Sequence, residues 1–142
     1  MKADILEIAR YLKDKSPKEL LKKAIENGAT EAELVQMNTD QLARFEDSEG
    51  KKLADIGGEY SVTTQVIKGL GPREVNLNDE GDFWESLEAN ATDKGFTMDG
   101  DTIKEGVDLR DRWGDNIEGI QDEKKAERII EKRVWNQVQE SL

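Results

Sequence analysis

The chain has 142 residues, 37% of them charged and 35% hydrophobic, and a net charge of −11. It contains neither cysteine nor histidine, which excludes disulfides, Cys- or His-based zinc sites and nucleophilic mechanisms that need a thiol or an imidazole base. The length suits one ordinary domain of about 100–150 residues. No apolar run approaches the roughly 18 residues of a membrane span, and Asp4 and Glu7 interrupt an N-terminal stretch that does not read as a signal peptide.

In chain order, Ile5, Leu6, Ile8, Ala9 and Leu12 form a helical apolar stripe. Ser16-Pro17-Lys18-Glu19 is a capping box that opens a second helix carrying Leu20, Leu21, Ala24 and Ile25, ended by Asn27-Gly28. Thr30-Glu31-Ala32-Glu33 is a further capping box, followed by Leu34, Val35 and Met37, and Thr39 is placed to start one more turn. Asp47-Ser48-Glu49-Gly50 is a turn signal. The stretch from Lys51 to Pro72 reads as an irregular arm, with Ser61–Ile67 β-prone.

Leu87, Ala89 and Ala91 alternate with polar residues. After the Asp93-Lys94-Gly95 turn, Phe96 and Met98 alternate again, which predicts an antiparallel hairpin. A short helix is expected from Val107 to Trp113, closed by Gly114. Asp122 can cap a last amphipathic helix carrying Ala126, Ile129, Ile130, Val134 and Val138. The sum is an α+β fold, with an N-terminal helical segment over 1–36 and a domain over 37–142 that holds the arm, the hairpin and the C-terminal helix.

The charge is uneven. Residues 76–123 hold fifteen Asp and Glu against four Lys and Arg, and the rest of the chain is neutral. Such a block disfavours phosphate binding. Asn78–Asp82 lacks the spacing and the final glutamate of an EF-hand, so no metal is expected, and Gly69-Leu70-Gly71-Pro72 is too short for a phosphate loop. Asp99-Gly100-Asp101 could supply one member of a carboxylate pair, though the sequence does not identify the other, and a solvated strand end is the competing reading. No cofactor is expected. Phe83 and Trp84 are neighbours in the acidic block; both belong to the core, or one anchors an interface, and Trp113 raises the same question. Leu87 completes the candidate interface set. Asp79, Glu80, Asp82 and Glu85 form the candidate acidic face.

The run Val75–Leu87 is similar to the "D-T-G-x-L/F-x-x-S-φ" signature of small bacteriophage neck and tail-completion proteins, with Glu80 standing where Thr is usual. Met37-Asn38-Thr39-Asp40-Gln41-Leu42, Asp47-Ser48-Glu49-Gly50-Lys51-Lys52-Leu53 and Tyr60-Ser61 resemble, in the same order, segments of virion-type proteins from crAss-like phages of Bacteroidetes. Leu109–Gly119 looks like a variant of the aromatic-and-glycine segment that follows the hairpin. The likeness spans roughly residues 37–120, and the first 35 residues have no counterpart in it.

The resemblance implies a non-enzymatic structural subunit of the virion, assembled in the host cytoplasm. It would form a homo-oligomeric ring with portal or tail subunits, an acidic face lining a DNA channel, and neither specific nucleic-acid binding nor a membrane role. The competing reading is an acidic inhibitor or DNA mimic aimed at a basic partner. The charge balance outside 76–123 weighs against it, because a mimic spreads carboxylates over most of its surface.

Overall fold

The computed structural model describes residues 17–79, 81–92 and 95–140. The stripe of residues 5–12, Ser16, Glu80, Asp93, Lys94 and Leu142 lie outside the described residues. The architecture is α+β. Helices α1 (Pro17–Ile25), α2 (Gly28–Ala43), α3 (Leu53–Ile56), α4 (Val62–Lys68) and α5 (Asp82–Ser86) precede strands β1 (Glu88–Thr92) and β2 (Gly95–Asp99). Strands β3 (Ile103–Lys104) and β4 (Val107–Asp108), helix α6 (Leu109–Trp113), a 3₁₀ turn (Asp115–Ile117) and helix α7 (Glu123–Glu140) follow. The strands make two antiparallel pairs, β1–β2 and β3–β4, the latter in register Ile103↔Asp108 and Lys104↔Val107. Among the described residues, no helix is long and apolar enough to cross a membrane.

The chain divides into two compact units. One contains residues 1–34, 89–97 and 122–142; the other contains 35–88 and 98–121. In the first, α1 buries Leu20, Ala24 and Ile25 and packs on α7, which buries Ala126, Ile130 and Val138. Asp122 caps α7 by accepting the Lys125 N–H. The cap of α2 differs from the expected Thr30 box. Asn27 Oδ1 accepts from the Ala29 and Thr30 N–H groups, so the helix opens at Gly28 and Thr30 becomes a buried residue of its first turn. The helix then runs unbroken to Ala43. Thr39 starts nothing new, and its hydroxyl donates to the Gln36 carbonyl.

The second unit carries nineteen Asp and Glu against eight Lys and Arg, hence the whole net charge of −11; the first is neutral, with thirteen of each. Its core is Leu42, Leu53, Ala54, Val75, Leu77, Phe83, Leu87, Trp113 and Ile117. A polar clasp closes over this core. Buried Asn38 donates to the Ile117 carbonyl at 3.1 Å and accepts from Gly119 N–H at 2.8 Å. Gln41 donates to the Gly119 carbonyl at 2.8 Å and accepts from Gln121 N–H at 2.6 Å. Gly119 sits at φ 143°, and a Cβ there would stand 2.8 Å from Ser48 Cβ, so only glycine fits. The 47–50 turn is pinned by Asp47, whose Oδ1 accepts from the Glu49 and Lys51 N–H groups.

The Lys51–Pro72 segment contains two short helices rather than a strand. Ser61 Oγ caps α4 by accepting the Thr64 N–H, and Gly69 at φ 68° ends it, its N–H shared between the Gln65 and Val66 carbonyls. Gln65 Nε2 also donates back to the Tyr60 carbonyl. These end signals outweigh the β-branched content of Val62, Thr63, Thr64, Val66 and Ile67, whose helix penalty is only about 0.7 kcal/mol or less per residue.

Asn38→Ala leaves the Ile117 carbonyl and the Gly119 N–H without partners in a buried place. It should cost about 2–4 kcal/mol in urea unfolding, whereas Thr39→Ala, one residue along, should stay within about 0.5 kcal/mol.

Candidate interaction site

Tyr60 is the pivot of the acidic unit's surface. Its ring meets Trp113 edge-on, with centroids 6.1 Å apart and planes at 73°. Its hydroxyl accepts the N–H of Leu77, a bulky core residue held at φ 56° in the left-handed region. Burial pushes the Tyr60 hydroxyl above its ordinary pKa. The loop before it is gripped by Arg112, which donates to the Gly57 and Glu59 carbonyls, both at 2.7 Å, and stacks its guanidinium over the Trp113 ring. Gly57 has no spare room: a Cβ there would lie 2.5 Å from Trp113 Cδ1 and 2.6 Å from the Arg112 carbonyl oxygen.

From this pivot the structure spreads to three elements. Lys68, on α4, lies 4.6 Å over the Tyr60 ring and donates to the Asn78 carbonyl at 3.1 Å. Asp79 pairs with Lys68 at 3.9 Å and with Lys104 of the β3–β4 hairpin. Burial, and then the nearby Lys104 charge, lower the Lys68 pKa. The result is a cleft of about 650 Å³ between α4, the 77–85 segment and the hairpin, floored by Tyr60, Phe83, Leu109 and Trp113. Asp82, Glu85, Asp101 and Glu105 line it too, and among the described residues none of these four has an ion-pair partner.

Helix α4 forms one wall through Thr64 and the largely covered Lys68, and no residue of it is fully buried. Val62, Val66 and Ile67 are 75%, 75% and 78% exposed. On the hairpin, Ile103 and Val107 are 55% and 60% exposed. Of these, Ile103 lines the cleft, whereas Val62, Val66, Ile67 and Val107 do not. Exposed apolar side chains of this size mark contact surfaces where they form a patch.

The candidate residues fall in different places. Phe83, Leu87 and Trp113 are core, at 4%, 6% and 5% exposure. Trp84 is half-buried against that core, and its indole N–H donates to the Asn76 carbonyl at 2.9 Å. Asp79 is engaged by the two lysines, while Asp82 and Glu85 line the cleft. Asp101 closes a turn, its N–H donated to Ser86 Oγ and its carboxylate accepting the Ile103 N–H.

Tyr60, Lys68, Lys104 and Arg112 had no place in the candidate set. For Lys104 and Arg112 the signal lay in rarity. Of the four bases in residues 76–123, Lys104, Arg110 and Arg112 each hold a structural bridge, to Asp79, to Asp108 and to the 57–59 backbone.

A second carboxylate group sits behind the hairpin. Asp108 caps α6 through the Arg110 N–H, and the Arg110 guanidinium grips both its oxygens. The Arg110 side chain first, then Thr102, hold the Asp108 carboxyl down to about 2. Glu118 accepts the Gly100 N–H at 2.6 Å, and burial pushes its carboxyl up. Among the described residues, no three acidic side chains gather in a way that could hold a metal ion. No protein-family model, curated protein or solved structure matches this chain.

Two outcomes follow from this geometry. Gly57→Ala must push Trp113 aside, and about 1–3 kcal/mol of stability should be lost with a changed near-ultraviolet circular dichroism spectrum. Asp108 titrates lower in the fold than in the unfolded chain, so its contribution is complete above the unfolded pKa of about 3.9 and fades as pH falls toward 2. Melting curves of Asp108→Asn between pH 4 and 2 should therefore have a shallower acid slope than those of the unsubstituted chain.

Proposed function

We propose that this chain is a non-enzymatic assembly subunit of a phage particle, of the head–tail connector kind that its motifs resemble. It joins copies of itself, and neighbouring portal or tail subunits, into a ring. The observation that carries this reading is helix α4: a seven-residue helix, capped at both ends, that buries none of its apolar side chains and turns Val62, Val66 and Ile67 to the outside. Isolated helices this short are marginal in water. This one is held by Ser61, Gly69, the Gln65 bond to Tyr60 and the Lys68 bond to Asn78, which keep an apolar surface in a fixed shape. Preformed apolar surface lowers the ordering cost of association.

The motif order supports the phage assignment in a second way. Asn38, Gln41, Leu42, Asp47, Leu53, Tyr60, Phe83 and Leu87, all from the resembling segments, supply the clasp, the pinned turn, the pivot and much of the core of one compact unit. The concentration of the net charge in that unit fits a surface that keeps DNA from sticking. The same carboxylates would serve an acidic inhibitor of a basic enzyme. That alternative expects a monomer absent from particles.

Mass spectrometry of purified virions should find the chain as a stoichiometric component, and its absence would sink the proposal. The double substitution Val66→Gln and Ile67→Gln should weaken self-association at least about tenfold. It should also leave the melting temperature within about 2 °C, since neither side chain is part of the core.

A further inference from the structure

Helix α7 sorts its charges. Lys125, Arg128, Lys132 and Arg133 share one face, which together with the start of α2 encloses a shallow cleft of about 500 Å³ within the first unit. Glu123, Glu127 and Glu131 repeat every four residues on another face and do not line it; Glu33 of α2 is the one acid that does. Among the described residues, none of the four cations has an ion-pair partner. Trp135, three residues after Lys132 and seven after Arg128, borders this stripe and is 43% exposed. The helix thus presents a basic surface with a large aromatic beside it, in a unit that has no net charge.

We infer that this face of α7 docks in the acidic cleft of a second copy of the chain. Trp135 would seat against Ile103 and the half-buried Tyr60 and Leu109 of the cleft. Arg128 and Lys132 would meet the carboxylates of Asp82, Glu85, Asp101 and Glu105. The inference rests on the assembly reading above and gives it a geometry. The two surfaces are complementary in sign and in kind, four cations with an aromatic against four carboxylates with the exposed Ile103, none of these charges ion-paired among the described residues, and each copy carries one of each. A cleft of about 650 Å³ is within the roughly 300–1,000 Å³ range of ligand-binding clefts, ample room for one indole ring.

A contact between two different patches is heterologous, and heterologous contacts generate rings when the rotation closes. Nucleic acid is the weaker occupant for the basic stripe. Four cations neutralise few phosphates, and the −11 unit travels with them.

The test is sedimentation velocity on the full chain at low and at high salt. The unsubstituted chain should associate at low salt and dissociate as salt rises. Arg128→Glu with Lys132→Glu makes both surfaces acidic; Glu85→Lys with Glu105→Lys makes both basic. All four residues are exposed, so each variant should melt like the parent. Each should self-associate at least about tenfold more weakly, and an equimolar mixture of the two should recover association, because every helix then finds a cleft of opposite sign. If the parent associates and both variants match it, the docking inference fails while the assembly reading stands. A parent that is monomeric at every salt concentration and missing from particles overturns both. A monomer that retards duplex DNA, with the Arg128→Glu, Lys132→Glu variant losing that property, overturns the inference in favour of a nucleic-acid surface.

Discussion

Asn38 and Gln41 stand on one helix and between them make four hydrogen bonds to the backbone of the returning segment at Ile117, Gly119 and Gln121. The sequence separation is about eighty residues in each case, so the clasp closes a long loop of chain. Each buried backbone group that it satisfies would cost about 1–3 kcal/mol if left bare. Gln121 continues the clasp by donating to the Asp47 carbonyl and to Glu46, and the Ser48 N–H donates to the Asn116 carbonyl. The 47–50 turn and the 116–121 segment are therefore fixed by one polar network laid over the core of Leu42, Leu53 and Ile117. With no disulfide to lock this unit, burial and satisfied amides carry its uniqueness.

The surface of the same unit grows from that frame through Trp113. Ile117 and Trp113 share the core, Trp113 meets Tyr60, and Tyr60 positions both Lys68 and the strained backbone of Leu77. Acidic residues are plentiful and mostly exposed, so their mutual repulsion is spread through solvent. Four of its bases, Lys68, Arg73, Lys104 and Arg112, tie separate segments together, and Arg44, Lys51 and Arg110 pair with an acid two residues away. That division explains how a unit with so unequal a charge keeps a cleft open between α4 and the hairpin. Asp79 is neutralised by two lysines, while Asp82, Glu85 and Glu105 around it have no ion-pair partner among the described residues.

Much of this was legible in the sequence. The β1–β2 hairpin showed in the alternation of Ala89, Ala91, Phe96 and Met98, although Leu87, read with them, ends α5 instead, and α7 showed in its apolar period. The 47–50 turn showed in its Asp, Ser and Gly. Two things were hidden. Helix α4 has no buried face and hence no helical period, only the Ser61 and Gly69 signals at its ends. The β3–β4 pair has two residues per strand, too few for any pattern. As for the site, Asp82 and Glu85 were readable from local acidity. Tyr60 and Arg112 act through contacts more than fifty residues apart in one case and seventeen in the other, which local composition does not encode.

The bareness of α4 has a consequence for how the chain can vary. A core residue is constrained by the shape of its neighbours, so its identity says little about the outside world. Positions 62, 66 and 67 touch no core, and the helix they ride on is held by its ends and by Gln65 and Lys68. The fold would tolerate polar residues there as readily as the Val, Val and Ile it has. What stands at those three positions is therefore free to follow a partner, and related chains with different neighbours should differ there first while the clasp beneath them stays the same.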